Sequence, residues 1–152
     1  MDMDLSEQYD KIYRYCYFKL HHKEAAEDIT QETFLRYFNS IRYEEKGKSL
    51  QYLYTIARNL CIDEFRKRQS APLPQAQIDA DIEERLLTYL SIKTALLHLD
   101  KESQELLLLR YVNEVPISVI CNIMRISRFA VYRKTNRALK QIKEQLGKEE
   151  FW

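Results

Sequence analysis

Between Arg125 and Lys143 every charged side chain is a cation: Arg125, Arg128, Arg133, Lys134, Arg137, Lys140 and Lys143, with no Asp or Glu among them. Like charges four residues apart on a helix repel by roughly 0.2–0.5 kcal/mol per pair, so the run favours an anionic partner outside the chain. Duplex DNA is such a partner, because each phosphate neutralised releases condensed counterions. The stretch also carries groups that read base edges, Arg suiting guanine and Asn136 suiting adenine. A solvated basic face on an ordinary bundle helix is the alternative. A second constellation lies near the N-terminus, where Asp28, Gln31, Glu32 and Leu35 stand at i, i+3, i+4 and i+7 and so share one helix face. Two acids, an amide and one aliphatic side chain make a candidate protein-binding stripe, with plain solvation as the competing reading.

The elements that must position these groups follow from periodicity. Ile117, Ile120, Cys121 and Met124 recur at helical spacing, Arg125-Ile126-Ser127 interrupts them, and a new period starts at Ala130 and Val131. This predicts helix, tight turn, helix from Val115 to Lys143. Pro116 suits the edge of the first helix and Ser127 the cap of the second. In the second helix Val131, Thr135, Ala138 and Ile142 share the core side, while Arg128, Tyr132, Arg133, Asn136 and Lys140 spread over the other faces.

Upstream, Leu5, Tyr9, Ile12, Tyr13, Cys16 and Leu20 predict a first helix with Ser6 as its cap, ending near His21-His22-Lys23. A second opens near Glu24 and carries Ala25, Ala26, Ile29, Phe34, Tyr37, Phe38 and Ile41. The polar stretch from Tyr43 to Ser49 contains Gly47 and reads as a loop. Leu50, Leu53, Tyr54, Ala57, Leu60, Cys61 and Phe65 then predict a third helix running into the basic Arg66-Lys67-Arg68. Tyr52 is a candidate stacking residue and Tyr54 a core aromatic. Pro72 and Pro74 exclude a continuous helix through residues 70–77. Leu86, Leu87, Leu90, Thr94 and Leu97 predict a fourth helix, and Asp100 caps a fifth from Lys101 to about Asn113.

The expected fold is therefore all-α. Residues 1–69 form one small helical domain, 70–83 a Pro-containing linker, and 84–152 a second domain with the helix-turn-helix. Fully extended, residues 70–83 would reach about 45 Å, on the order of 13 base pairs of duplex.

With 24 Lys and Arg against 23 Asp and Glu, the net charge is +1, which argues for localised contacts rather than a coat of positive charge. The basic residues concentrate in 58–68 and 125–143. Cys16, Cys61 and Cys121 lack the paired spacing of a metal site and each sits in an apolar helical run, as reduced core residues do. His21-His22 has no partner at ligand spacing, so no metal or cofactor is expected. No apolar run approaches 18 residues and no signal sequence opens the chain, so a cytoplasmic protein is expected. Paired catalytic carboxylates, a Ser/His/Asp set and a Gly-rich phosphate loop are all missing, so an enzyme is not expected.

The motifs AEDITQETF and LYTIARNLCIDEFRKR, then a Pro-containing linker and a helix-turn-helix, resemble the extracytoplasmic-function sigma factors of bacterial RNA polymerase. The resemblance runs from Tyr9 to Leu146. It implies that Asp28, Gln31, Glu32 and Leu35 grip the coiled coil of the polymerase β′ subunit. It implies that the loop with Tyr43, Lys46 and Lys48 captures an extruded base of the minus-10 element, and that Tyr52, Asn59, Asp63, Arg66 and Arg68 line the path of the non-template strand. Tyr132, Arg133, Asn136 and Arg137 occupy minus-35 contact positions, with Ser127, Arg128 and Lys140 completing that surface. Core polymerase (β′ coiled coil and β flap), promoter DNA and an anti-sigma factor that can hold the chain at the membrane are the implied partners, with no small-molecule substrate. Several residues depart from the family pattern: Tyr52 stands for Trp, Arg125 for Gly, Pro116 for Ser or Thr, Thr135 for Leu and Leu139 for Arg. A DNA-binding regulator that acts without polymerase core is the second reading, since the C-terminal half would suffice for it.

Overall fold

The computed structural model describes residues 4–40, 48–69 and 95–147, and no strand occurs among them. Backbone packing divides them into two compact units, one of residues 4–40, 48–69 and 118–125, the other of 95–117 and 126–147. The expected linker, residues 70–83, lies outside the described residues, as do Leu86, Leu87, Leu90 and Thr94 of the expected fourth helix.

In the first unit, α1 (Leu5–Leu20), α2 (Lys23–Asn39) and α3 (Ser49–Gln69) pack pairwise on one another. The cap of α1 is Asp4 and not Ser6: its carboxylate accepts the Glu7 N–H at 3.2 Å. A carboxylate there both satisfies a free N–H and complements the positive helix end, and Ser6 falls inside the first turn. His21 closes α1 in the left-handed region at φ 52°, donating its N–H to the Tyr17 carbonyl at 2.7 Å. His22 then caps α2, its ring Nδ1 accepting the Ala25 N–H at 3.1 Å.

The buried side chains are Ile12, Tyr15, Cys16 and Leu20 of α1, Ala25, Ala26, Thr30, Thr33 and Phe34 of α2, and Leu53, Tyr54, Ala57 and Cys61 of α3. The Tyr15 and Tyr54 rings meet edge-on at 5.6 Å between centroids, a favoured geometry for buried aromatics. The inward face of α2 departs from the apolar line expected of it. Thr30 and Thr33 occupy it, their hydroxyls donating to the Ala26 and Ile29 carbonyls at 2.6 and 2.7 Å, while Phe38 is exposed. A threonine that returns its hydroxyl to the preceding turn buries a methyl without leaving a donor unsatisfied.

In the second unit, residues 95–97 are helical. Ala95 and Leu99 are buried, whereas Leu97, expected on the apolar line, is exposed. Asp100 caps α4 (Lys101–Leu107) by accepting the Ser103 N–H at 2.7 Å. The chain then widens into a π-helical turn, Leu108–Val112, which Asn113 closes by donating to the Leu108 carbonyl at 2.9 Å. Leu106 and Leu107 before this turn and Leu109 within it are buried, while Tyr111 and Val112 face outward. The next helix, α5 (Ile117–Met124), groups from Ser118 on with the first unit; it buries Val119, Ile120, Ile123 and Met124, and Pro116 precedes its first residue. The final helix, α6 (Arg128–Gly147), packs on α4, and Leu99, Leu107, Ala138 and Ile142 form an apolar cluster.

The whole chain has only two glycines, and among the described residues three non-glycine residues take left-handed backbone: His21, Glu114 and Arg125. Arg125 sits in the helix-helix turn at φ 56°, where its side chain costs about 1 kcal/mol relative to an unstrained residue. No helix among the described residues is long and apolar enough to cross a membrane.

Candidate nucleic-acid interface

The basic helix α6 starts as its sequence predicts. The Ser127 hydroxyl accepts the Ala130 N–H at 3.0 Å, and the Ser127 carbonyl accepts the Val131 N–H at 3.0 Å. Val131, Thr135 and Ala138 are buried along one line, with the Thr135 hydroxyl donating to the Val131 carbonyl at 2.6 Å. That line fixes what the rest of the helix presents. Arg128, Phe129, Tyr132, Arg133, Asn136, Arg137 and Lys140 are exposed. Among these the structure adds two aromatic-cation pairs. The Arg133 guanidinium lies 5.7 Å from the centroid of the Phe129 ring, and Arg110, from the π-helical turn, lies 5.3 Å from that of Tyr132.

The seven cations of this stretch do not all face outward. Lys134 is partly buried and its ammonium bonds Glu102 of α4 at 2.5 Å. Beside it, the Asp100 carboxyl is held below the usual carboxylate range, first by its hydrogen bonds from Ser103 and then by the nearby Lys134 and Arg137 charges. Lys134 thus holds α6 to the start of α4. Phe129 and Arg110 were not among the sequence-derived candidates. Phe129 could have been found, since it stands three and four residues before Tyr132 and Arg133 on the same face; Arg110 reaches Tyr132 only through the tertiary fold.

On α2, Asp28, Gln31 and Leu35 are exposed, Leu35 at 59 %, and Glu32 is half-buried and ion-paired with Arg36 at 3.2 Å. The four residues form one stripe, opposite the face that carries Thr30 and Thr33. A 59 % exposed leucine between polar neighbours is unremarkable alone, but with Phe38 exposed one turn further on, the outer side of α2 offers apolar as well as polar contact.

Where α2 ends and α3 begins, Arg36, Asn39, Ser40, Tyr52, Ile56 and Asn59 line a cleft of about 310 Å³. Tyr52 forms one wall, half-buried, with its ring 6.2 Å from that of Tyr37; Tyr54 is wholly core. Asn59 and Asp63 are exposed, as is Arg66, whereas Arg68 is half-buried and held 3.0 Å from Glu64. Lys48 is exposed in the turn before α3. Tyr43 and Lys46 lie outside the described residues. The structure therefore brings Tyr52 and Asn59 together, adds Arg36, Asn39, Ser40 and Ile56 from positions the sequence does not single out, and places Asp63 and Arg66 further along α3.

Two segments of the chain match known families. Residues 5–71 match the family described as Sigma-70 region 2, and residues 89–142 match that described as Sigma-70, region 4. The chain is 29 % identical over 160 residues to the ECF RNA polymerase sigma factor SigW of Bacillus subtilis, covering 90 % of this chain and 83 % of SigW. It is 29 % identical over 151 residues to the ECF RNA polymerase sigma factor BldN of Streptomyces coelicolor, covering 91 % of this chain and 57 % of BldN. Its fold resembles that of the sigma factor RpoE of Bartonella quintana, solved in complex with the anti-sigma factor NepR, with a TM-score of 0.66, 19 % identity and 91 % of each chain covered. The two matched regions in this order, on an all-helical chain whose second unit carries a capped basic helix, place it in the sigma-70 family: it is an extracytoplasmic-function sigma factor.

Proposed function

We propose that the chain directs RNA polymerase core to promoters by docking through one helix stripe and holding two separate DNA elements, with no bond chemistry of its own. The observation that carries this reading is the face of α6: exposed Arg128, Arg133, Asn136, Arg137 and Lys140 on a helix with no acidic residue before Glu144. A recognition helix needs guanidinium and amide groups for base edges and further cations for phosphates. On this reading α6, capped by Ser127 and with Tyr132 beside Arg110, reads the minus-35 duplex.

The stripe Asp28, Gln31, Glu32 and Leu35 docks on the β′ coiled coil, and the second unit meets the β flap. The cleft between Arg36, Asn39, Tyr52 and Asn59 receives one extruded base of the minus-10 element, helped by Tyr43, Lys46 and Lys48 of the preceding loop. Stacking on an aromatic ring stabilises a base by about 1–3 kcal/mol, comparable to the few kcal/mol that unstacking costs. Arg66 and Arg68 then meet phosphates of the non-template strand, and Asp63 lies on the same path. Residues 1–69, 70–83 and 84–152 act as first domain, linker and second domain. The chain works in the cytoplasm, and an anti-sigma factor holds it inactive.

Reconstituted transcription tests the reading. Core polymerase with the purified chain should initiate at sites that core alone ignores, and start-site mapping should reveal paired upstream elements. Tight promoter binding by the chain without core, and no core-dependent initiation, would instead support a free-standing DNA-binding regulator.

A further inference from the structure

Phe129 is the second residue of α6 and leaves 71 % of its surface in water, more than any other large apolar side chain among the described residues. It stands at i relative to Tyr132, Arg133, Asn136 and Lys140 at i+3, i+4, i+7 and i+11, all exposed, so it heads the same face. The Arg133 guanidinium lies over its ring, 5.7 Å from the centroid, in reach of a cation–π attraction that favours this placement of the ring. A lone exposed apolar residue needs no explanation, but this one occupies the helix end that enters the major groove in a helix-turn-helix. The groove offers one apolar group, the C5-methyl of thymine.

We propose that Phe129 is a specificity residue that reads a pyrimidine C5-methyl group in the upstream duplex element, with Arg133 positioning its ring. The inference rests on α6 being the duplex-reading helix. DNA is favoured over a protein as the occupant because the residues around Phe129 on this face are Arg128, Tyr132, Arg133 and Asn136, with no acid from Arg125 to Lys143. Recognition of this kind does not depend on the base's pairing edge. The contact therefore takes 5-methylcytosine in place of thymine and rejects uracil.

The test uses holoenzyme of core polymerase and the full chain on promoter duplexes whose upstream element has first been defined by selection from a randomised library. Deoxyuridine replaces each thymine of that element in turn, which removes only the methyl. At one thymine the wild-type holoenzyme should lose roughly fourfold in affinity, the value of about one buried methyl. Phe129→Ala should bind the thymine and deoxyuridine duplexes equally, and Phe129→Leu should keep part of the discrimination. At the same position 5-methylcytosine should bind better than cytosine. The salt slope should stay unchanged in Phe129→Ala, since no phosphate contact is lost. Equal binding of every deoxyuridine duplex by the wild type would overturn the proposal, as would undiminished thymine discrimination in Phe129→Ala. Weaker association of Phe129→Ala with core in the absence of DNA, with base preference intact, would assign the residue to a protein contact and also overturn it. Failure of the wild type to select any upstream element would reject the minus-35 reading itself, a separate result.

Discussion

A single carboxylate illustrates how much rests on individual residues. Asp100 caps α4, and its oxygens accept from Ser103 while Lys134 and Arg137 stand nearby, so its folded pKa lies below the unfolded value. A depressed carboxylate pKa contributes stability that is present above the unfolded value, near pH 4, and is lost as pH falls through the folded one. Asp100→Ala should therefore destabilise the chain by about 1 kcal/mol at pH 7, measured by urea unfolding. Asp100→Asn, which keeps a capping oxygen, should retain much of that stability but lose its acid-limb pH dependence. Equal unfolding midpoints for wild type and Asp100→Ala at pH 7 would refute the capping role. Asp100 and Ser127 were both legible, because capping chemistry is local and depends on residue type a few positions before a periodic run. Ser6 was misread for the same reason: Asp4 satisfies the same rule two residues earlier, and only the backbone decides between them.

Lys134 and Lys140 are both cations of α6, yet their surroundings separate them. Lys134 holds Glu102, and Lys140 is exposed on the outer face. Lys140→Ala should reduce the salt slope of promoter binding by about 0.9, the signature of one lost phosphate. Lys134→Ala should leave the slope unchanged and lower stability by no more than about 1 kcal/mol, since a partly exposed ion pair contributes little. A reduced slope for Lys134→Ala, in a titration from low to high salt, would show that it meets DNA. A run of like charges in a sequence cannot make this distinction, because the partner of Lys134 is thirty-two positions away.

At the scale of elements, α2 separates its buried face from the stripe proposed for docking. Thr30, Thr33 and Phe34 are buried, and Asp28, Gln31 and Leu35 point outward. Asp28→Ala with Gln31→Ala should weaken co-purification with polymerase core while leaving helix content and melting temperature nearly unchanged, because neither residue is buried. Unaltered retention of core by the double variant would remove the stripe from the proposed interface. Helix periodicity made α1, α2 and α3 readable almost to their ends. The threonines on the buried face of α2 were not, since their compatibility with a core depends on hydroxyls returned to the Ala26 and Ile29 carbonyls. The π-helical turn after α4 was equally hidden: its extra residue per turn is a backbone choice that leaves the leucine pattern intact. The α2–α3 cleft combines residues from two helix ends, so only Tyr52 and Asn59 of its lining could be named beforehand.

For the whole molecule, a net charge of +1 provides no general positive field, so the proposed function needs DNA affinity to come from two local surfaces. Arg66 lies on α3 of the first unit and Arg133 on α6 of the second. If each meets a different promoter element, their losses belong to different steps. Arg133→Ala should lower closed-complex affinity of the holoenzyme, by roughly 1–3 kcal/mol at matched sequences and less at mismatched ones. Arg66→Ala should leave that affinity nearly unchanged and reduce the permanganate reactivity of thymines around the start site. In the double variant the loss of closed-complex affinity should match that of Arg133→Ala alone within about 0.5 kcal/mol, as expected for groups sharing no partner. A coupling well beyond that would mean that both arginines act on one contact, and the division of the promoter between the two units would have to be abandoned. Unchanged permanganate reactivity in Arg66→Ala would leave α3 without a role in strand opening, whatever the behaviour of α6.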